Sequence, residues 1–201
     1  MNQPKILQPG QPCTFSQYFD LPFALEDILA EFNCTLQRSP IDLPRQPFPA
    51  SIDPLLQQIH RNRKRIELAN ETARREALIA PILFEIIDLS DRSMYVEYTI
   101  AVNEHLRGTI DYYIASKNLI VIAAKQADLV RGFTQLAVEL IALDQWTRSQ
   151  TPILYGIVTT GEDWRFGIFR RQERLVQQDP KRYLVPEELT PLLEILLGIV
   201  S

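Results

Sequence analysis

Residues 108–126 read "GTIDYYIASKNLIVIAAKQ", and how this stretch pairs with itself decides the fold. Two apolar runs, GTIDYYIA and LIVIAAK, flank a polar turn and are rich in β-branched and aromatic residues, the composition of a hairpin. One acid, Asp111, sits in the first run, and one base, Lys125, closes the second. A lysine ending so apolar a strand requires an anionic partner. If SKN at 116–118 is a three-residue loop, Asp111 stands opposite Ala123 and Lys125 opposite Thr109. Acid and base then share a face as diagonal neighbours about 7 Å apart. A two-residue loop would slip the register by one and send them to opposite faces.

The flanking text extends the hairpin into a sheet. MYVEYTIAV at 94–102 alternates and predicts a strand before it. ADLVRGFTQLAVELIALDQWT at 127–147 returns to helical period, with Phe133, Leu136, Ala137, Leu140, Ile141 and Leu143 as its buried face. PILYGIVTT at 152–160 is continuously apolar, as expected of a strand covered on both faces. WRFGIFRR follows the Gly161 turn as a further strand, and Thr190-Pro191 opens a last helix, PLLEILLGIV. Upstream, NETARREALIAPILFEIIDL predicts a helix capped by Asn70 or Thr72, with Ala73, Ala77, Ala80, Phe84 and Ile87 in a stripe. Pro81 should kink or restart it. DPLLQQIHRNRKRIELA predicts another helix. A three-stranded meander, a helix and a further strand make an α/β fold, a mixed central β-sheet flanked by helices on both faces.

The first 54 residues carry most of the prolines and read as an arm with one helix, in which Asp20 is the N-cap and Phe23, Leu25, Ile28, Leu29 and Phe32 form the stripe. Residues 55–201 read as the core domain. A formal net charge of -4 argues against broad, non-specific nucleic-acid binding but not against a local basic groove. No apolar run is long enough to span a membrane, and the start has no apolar leader, so a cytoplasmic protein with no membrane partner is expected. Cys13 and Cys34 form no disulfide framework, and two isolated histidines, His60 and His105, make a zinc site improbable.

Several polar residues stand out. Gln135 and Glu139 are four apart on one helix face, with Arg131 a turn earlier. Arg74 and Arg75 lie with Glu71 and Glu76 on the helix before the meander. Arg61, Arg63, Lys64 and Arg65 form a basic cluster, either a solvated face or a set of phosphate contacts. The plainer readings are a simple ion pair for Asp111 with Lys125, solvent-facing polar residues for Gln135 and Glu139, and packing roles for Tyr112, Trp146, Trp164 and Phe169.

Asp111, a short hairpin and a strand ending in AAK resemble the PD-(D/E)XK nuclease superfamily, whose signature is an acid on one strand and (D/E)-x-K at the end of the next. ETARREALIAPIL, GTIDYYI and GFTQLAVELIALDQW further resemble the nuclease domains of type I restriction motor subunits and small stand-alone cyanobacterial relatives. The likeness covers roughly residues 57 to 172. It implies a restriction-endonuclease-like fold, metal-dependent hydrolysis of DNA with Mg2+ or Mn2+, and DNA as partner. By analogy it also implies a homodimer and restriction-modification partner subunits. Position by position, Asp111 matches the metal-binding aspartate and Lys125 the lysine that orients the attacking water. Glu71, then Glu76, match the helix glutamate of the metal site, and Gln135 matches the glutamine after the lysine. Arg61, Arg63, Lys64, Arg65 and Arg74 are the candidate DNA contacts.

Ala123 departs from the pattern by standing where the motif has its second acid. Magnesium is a hard ion usually held by one or two carboxylates plus phosphate oxygens, and a methyl group offers no electron pair. Weak or absent cleavage is expected. Three accounts stay open: Glu139, Glu71 or Glu76 substitutes for the missing acid; the fold binds without cutting, as a DNA-binding or protein-interaction module; or the alanine is an introduced inactivating change.

Overall fold

The computed structural model describes residues 6–115, 120–124, 128–147 and 150–201. Seven strands form one sheet: β1 (Thr35–Arg38), β2 (Ser93–Ala101), β3 (Arg107–Ala115), β4 (Ile120–Ala124), β5 (Ile153–Thr159), β6 (Asp163–Arg170) and β7 (Leu175–Leu184). Their spatial order is β1-β7-β6-β5-β4-β3-β2. The β2–β3–β4 meander is antiparallel, β5 lies parallel to β4, and β6 and β7 continue antiparallel before β1 joins β7 in parallel. A parallel step needs a crossover, which α6 (Leu129–Thr147) supplies between β4 and β5.

Helices cover both faces, so the sheet separates two apolar cores. One contains Leu78, Ile82, Ile86, Tyr112, Ile114, Ile157, Trp164 and Leu193. Its helices are α3 (Asp53–Arg65), α4 (Glu71–Arg74), a π-helical turn at Arg75–Ile79, α5 (Ala80–Ser90) and α7 (Leu189–Val200). The other contains Phe15, Ile28, Ile110, Tyr113, Phe133, Leu140 and Val158, under α6 and two short helices, α1 (Phe15–Asp20) and α2 (Leu25–Glu31).

The N-terminal segment differs from its sequence reading. It holds two helices and an edge strand, not one helix. Pro22 pushes Leu21 out of helical geometry, to φ -65° and ψ 134°, so Asp20 closes α1 and caps nothing. Phe23 is consequently 46% exposed, while Leu25, Ile28 and Leu29 are buried as expected. β1 and β7 were not foreseen. Pro180 argues against a strand, but β1 pairs with β7 only as far as Gln178, and the β6–β7 ladder shifts register between Arg165 and Gly167. The missing proline N–H falls beside that irregularity, where the ladder makes least demand on it.

Pro81 restarts the helix, as predicted, in the second position of α5. The π turn before it adds a residue to one turn and rotates everything downstream by about 100°. The stripe read at constant helical period therefore slips. Ala77 and Ala80 are buried, but Phe84 is 55% exposed, and Ile82, Leu83 and Ile86 take the inward positions.

Candidate functional site

The hairpin register is the one that a three-residue loop at 116–118 demands. Tyr112 pairs with Ile122, Tyr113 with Val121 and Ile114 with Ile120. One further step along that ladder sets Asp111 against Ala123. β4 then pairs Ala124 with Thr159 at the end of β5, bringing Asp111, the end of β4 and the β5–β6 turn to one end of the sheet. Lys125 and the loop 116–119 lie outside the described residues.

Asp111 marks a break in alternation. Ile110 and Tyr112, two apart, should share a face, yet Ile110 joins the α6-side core and Tyr112 the opposite one. The β2–β3 ladder runs Val96↔Tyr112 and Tyr98↔Ile110, and Glu97 between them has φ 52°. This local twist lets Asp111 and Tyr112 reach the same partner, contrary to the opposite facings that strict alternation predicts for them.

That partner is Arg75, in the π turn. Its guanidinium lies 3.5 Å from Asp111 Oδ1 and 3.2 Å from Glu97 Oε1, and 5.5 Å from the centre of the Tyr112 ring. Burial works against its charge, but Asp111, Tyr112 and Glu97 outweigh that and hold its pKa above the ordinary value. Tyr112 is raised by burial, with Arg75 pulling the other way.

Arg74, the preceding residue, turns elsewhere. Its Nη1 is 3.5 Å from Glu162 Oε2, while Arg63 of α3 reaches Glu162 Oε1 at 2.9 Å. The turn carrying Glu162 is pinned. Gly161 has φ 89°, and a side chain there would meet Leu78 Cβ at 2.7 Å, so only glycine lets this turn lie against the π-helical segment. Gly161 also accepts the Trp164 indole N–H at 3.0 Å and donates to Thr159 Oγ1 at 2.8 Å.

The remaining candidates divide clearly. Asn70 caps α4 by accepting from the Ala73 N–H, which fixes Glu71 in the first turn, partly buried. Glu76 points to solvent. Arg61, Lys64 and Arg65 are exposed and form no ion pair among the described residues, whereas Arg63 is engaged by Glu162. Gln135 and Glu139 are not solvent-facing: both are buried, and Gln135 Nε2 donates to Glu139 Oε1 at 2.6 Å. They stand on α6, which packs on β4 and β5. Trp164 and Phe169 are core, while Trp146 is 42% exposed and donates to Tyr98 Oη.

Sequence reading placed Arg75 on the right helix without giving it a role, and missed Glu97 and Glu162. Glu97 had a faint signal, being the only charge in its strand. Glu162, in a TTGEDW turn, had none.

Among the described residues no three or more His, Cys, Asp or Glu side chains gather as a metal cage. The available donors are Asp111 and the acids of the flanking helices, Glu139 and Glu71. These hard oxygens suit magnesium or manganese in kind, since such ions keep water and phosphate among their ligands. Asp111, however, is already engaged by Arg75 and Glu139 by Gln135. Comparison with protein-family models, with curated proteins and with solved structures returned no match.

Proposed function

We propose that this chain is a PD-(D/E)XK-type, nuclease-like protein that binds DNA through its phosphate backbone and hydrolyses it weakly or not at all. The reading rests on one observation above the others: Asp111 sits in the central strand of a helix–meander–helix–parallel strand unit, at the sheet end where β4 runs out toward Lys125. Brought to the same end are Arg74, Arg75 and the acids they hold. A fully buried Glu139, fixed by Gln135 on the helix covering β4, is the acid best placed to stand in for the one Ala123 lacks. A magnesium or manganese ion, when bound, would be held by Asp111 with Glu139 or Glu71 and would supply positive charge at the scissile phosphate. Arg75 balances Asp111, and the resemblance gives Lys125 the orienting of water.

The second reading is a DNA-binding or protein-interaction module that never cuts. The Arg75–Asp111 pair favours it, because a guanidinium beside the strand carboxylate already neutralises the charge that a metal would need.

Plasmid cleavage with Mn2+ or Mg2+, comparing the chain with its Ala123→Glu and Glu139→Gln variants, tests both. We expect Ala123→Glu to cut at least about tenfold faster, and Glu139→Gln to abolish any residual cutting. No cutting by any variant, with DNA still bound, leaves the second reading in place. No cutting and no binding removes both DNA readings.

A further inference from the structure

Two consecutive arginines diverge from one helix end, and their partners differ in kind. Arg75 serves two carboxylates, Asp111 and Glu97. Arg74 and Arg63, from different helices, converge on the single carboxylate of Glu162. Two cations around one anion leave a net positive charge at the sheet end that carries Asp111. The Arg74 Nε is buried without a hydrogen-bond partner in this arrangement, so the fork has capacity that Glu162 does not use.

We propose that Arg63 and Arg74 form a phosphate subsite for duplex DNA and that Glu162 is its internal placeholder, displaced when a phosphodiester arrives. This deepens the DNA-binding reading and rests on it. The chemistry is matched: a guanidinium fork binds a phosphate oxygen pair as it binds a carboxylate, in the same planar, two-point fashion. Exchange is energetically easy. Glu162 is 37% exposed, Arg63 40%, and the longer contact is 3.5 Å. Such pairs contribute roughly 0–1 kcal/mol each, less than the gain from a charge-assisted phosphate contact. The turn itself is pinned by Gly161 and Trp164, so only the Glu162 side chain needs to swing. While in place, Glu162 holds the two arginines together in a mutual orientation that unscreened repulsion would otherwise spread. It also sets a threshold, because DNA must outcompete an intramolecular anion. The basic residues Lys64 and Arg65, exposed on the same helix as Arg63, extend the positive surface outward.

The test is the equilibrium affinity of a short duplex DNA, with chelator present, across a salt series. It compares the unaltered chain, Glu162→Gln, Arg63→Ala/Arg74→Ala, and Glu26→Gln, which removes one negative charge from an exposed pair with Arg38. Glu162→Gln should bind about tenfold more tightly, with a log–log salt slope steeper by about 0.9. The double arginine variant should bind more weakly with a shallower slope. Glu26→Gln should change affinity less than about twofold. Thermal unfolding of each variant confirms that it is folded. DNA binding that Glu162→Gln leaves unchanged, or that Glu26→Gln raises equally, overturns the placeholder and leaves the nuclease-type reading standing. No DNA binding by any variant at any salt overturns both.

Discussion

Two arginine–carboxylate clusters lie in this molecule, and they are built differently. At the end of α6, Asp144 holds Arg171 and Arg174. Arg171 also donates to the Thr151 and Asp144 carbonyls, and Arg174 donates to the Phe32 carbonyl at 2.8 Å and lies over the Phe169 ring. Every direction of these forks ends on something fixed, much of it backbone. The cluster therefore ties α6, the β6–β7 turn and the N-terminal segment together. At the sheet end bearing Asp111, Arg74 and Arg75 end on side-chain carboxylates at 3.2–3.5 Å, and the Nε of each is buried without a partner. A cluster saturated by backbone is suited to holding the fold. One with donors to spare is suited to receiving a ligand, because native structures seldom leave such groups unmet.

The contrast can be broken by stability measurements. Arg171→Met should be the most damaging change, costing about 2–3 kcal/mol, since it strands a largely buried carboxylate and two carbonyls. Urea unfolding would show this as a lower midpoint at unchanged slope. Arg75→Met should cost about 1 kcal/mol or less, because its contacts are long and Glu97 is 65% exposed. Equal losses would erase the distinction between the two clusters.

What the sequence disclosed follows the same division between local and distant physics. The hairpin register at 112–122 was legible because loop length and strand period fix it within a few residues. The meander, crossover helix and parallel strand were legible because the period changes from 2 to 3.6 at the right places. The stripe through Phe84 failed because a π turn is invisible to constant-period reading. β7 failed because Pro180 masks a strand whose partners happen to stop short of it. Among the candidate site residues, Asp111 was found by its strand context, but its hold by Arg75 spans 36 residues and exists only in the tertiary structure. Glu162 was silent because an acid in a turn has no local mark of the two arginines that will close on it.

The finest test of the contrast is optical. Arg174 lies over a phenylalanine, which cannot titrate, whereas Arg75 lies over Tyr112, which can. Burial raises the pKa of Tyr18, Tyr112, Tyr113 and Tyr155, and Tyr113 is pushed up to about 12 by burial and then by Tyr98 and Tyr95. A raised phenol favours the folded state fully below its unfolded value near 10, and that contribution is lost as pH climbs through the folded value. Stability should therefore decline between about pH 10 and 12, and the phenolate absorbance of these four rings should appear late, with unfolding. In wild-type protein Arg75 offsets part of the rise at Tyr112 by stabilising its phenolate. Arg75→Met removes that cation, so Tyr112 should ionise later still and one ring's worth of absorbance should move to higher pH. An unmoved titration would mean that the guanidinium exerts no field at Tyr112, and that Arg75 serves Asp111 and Glu97 alone.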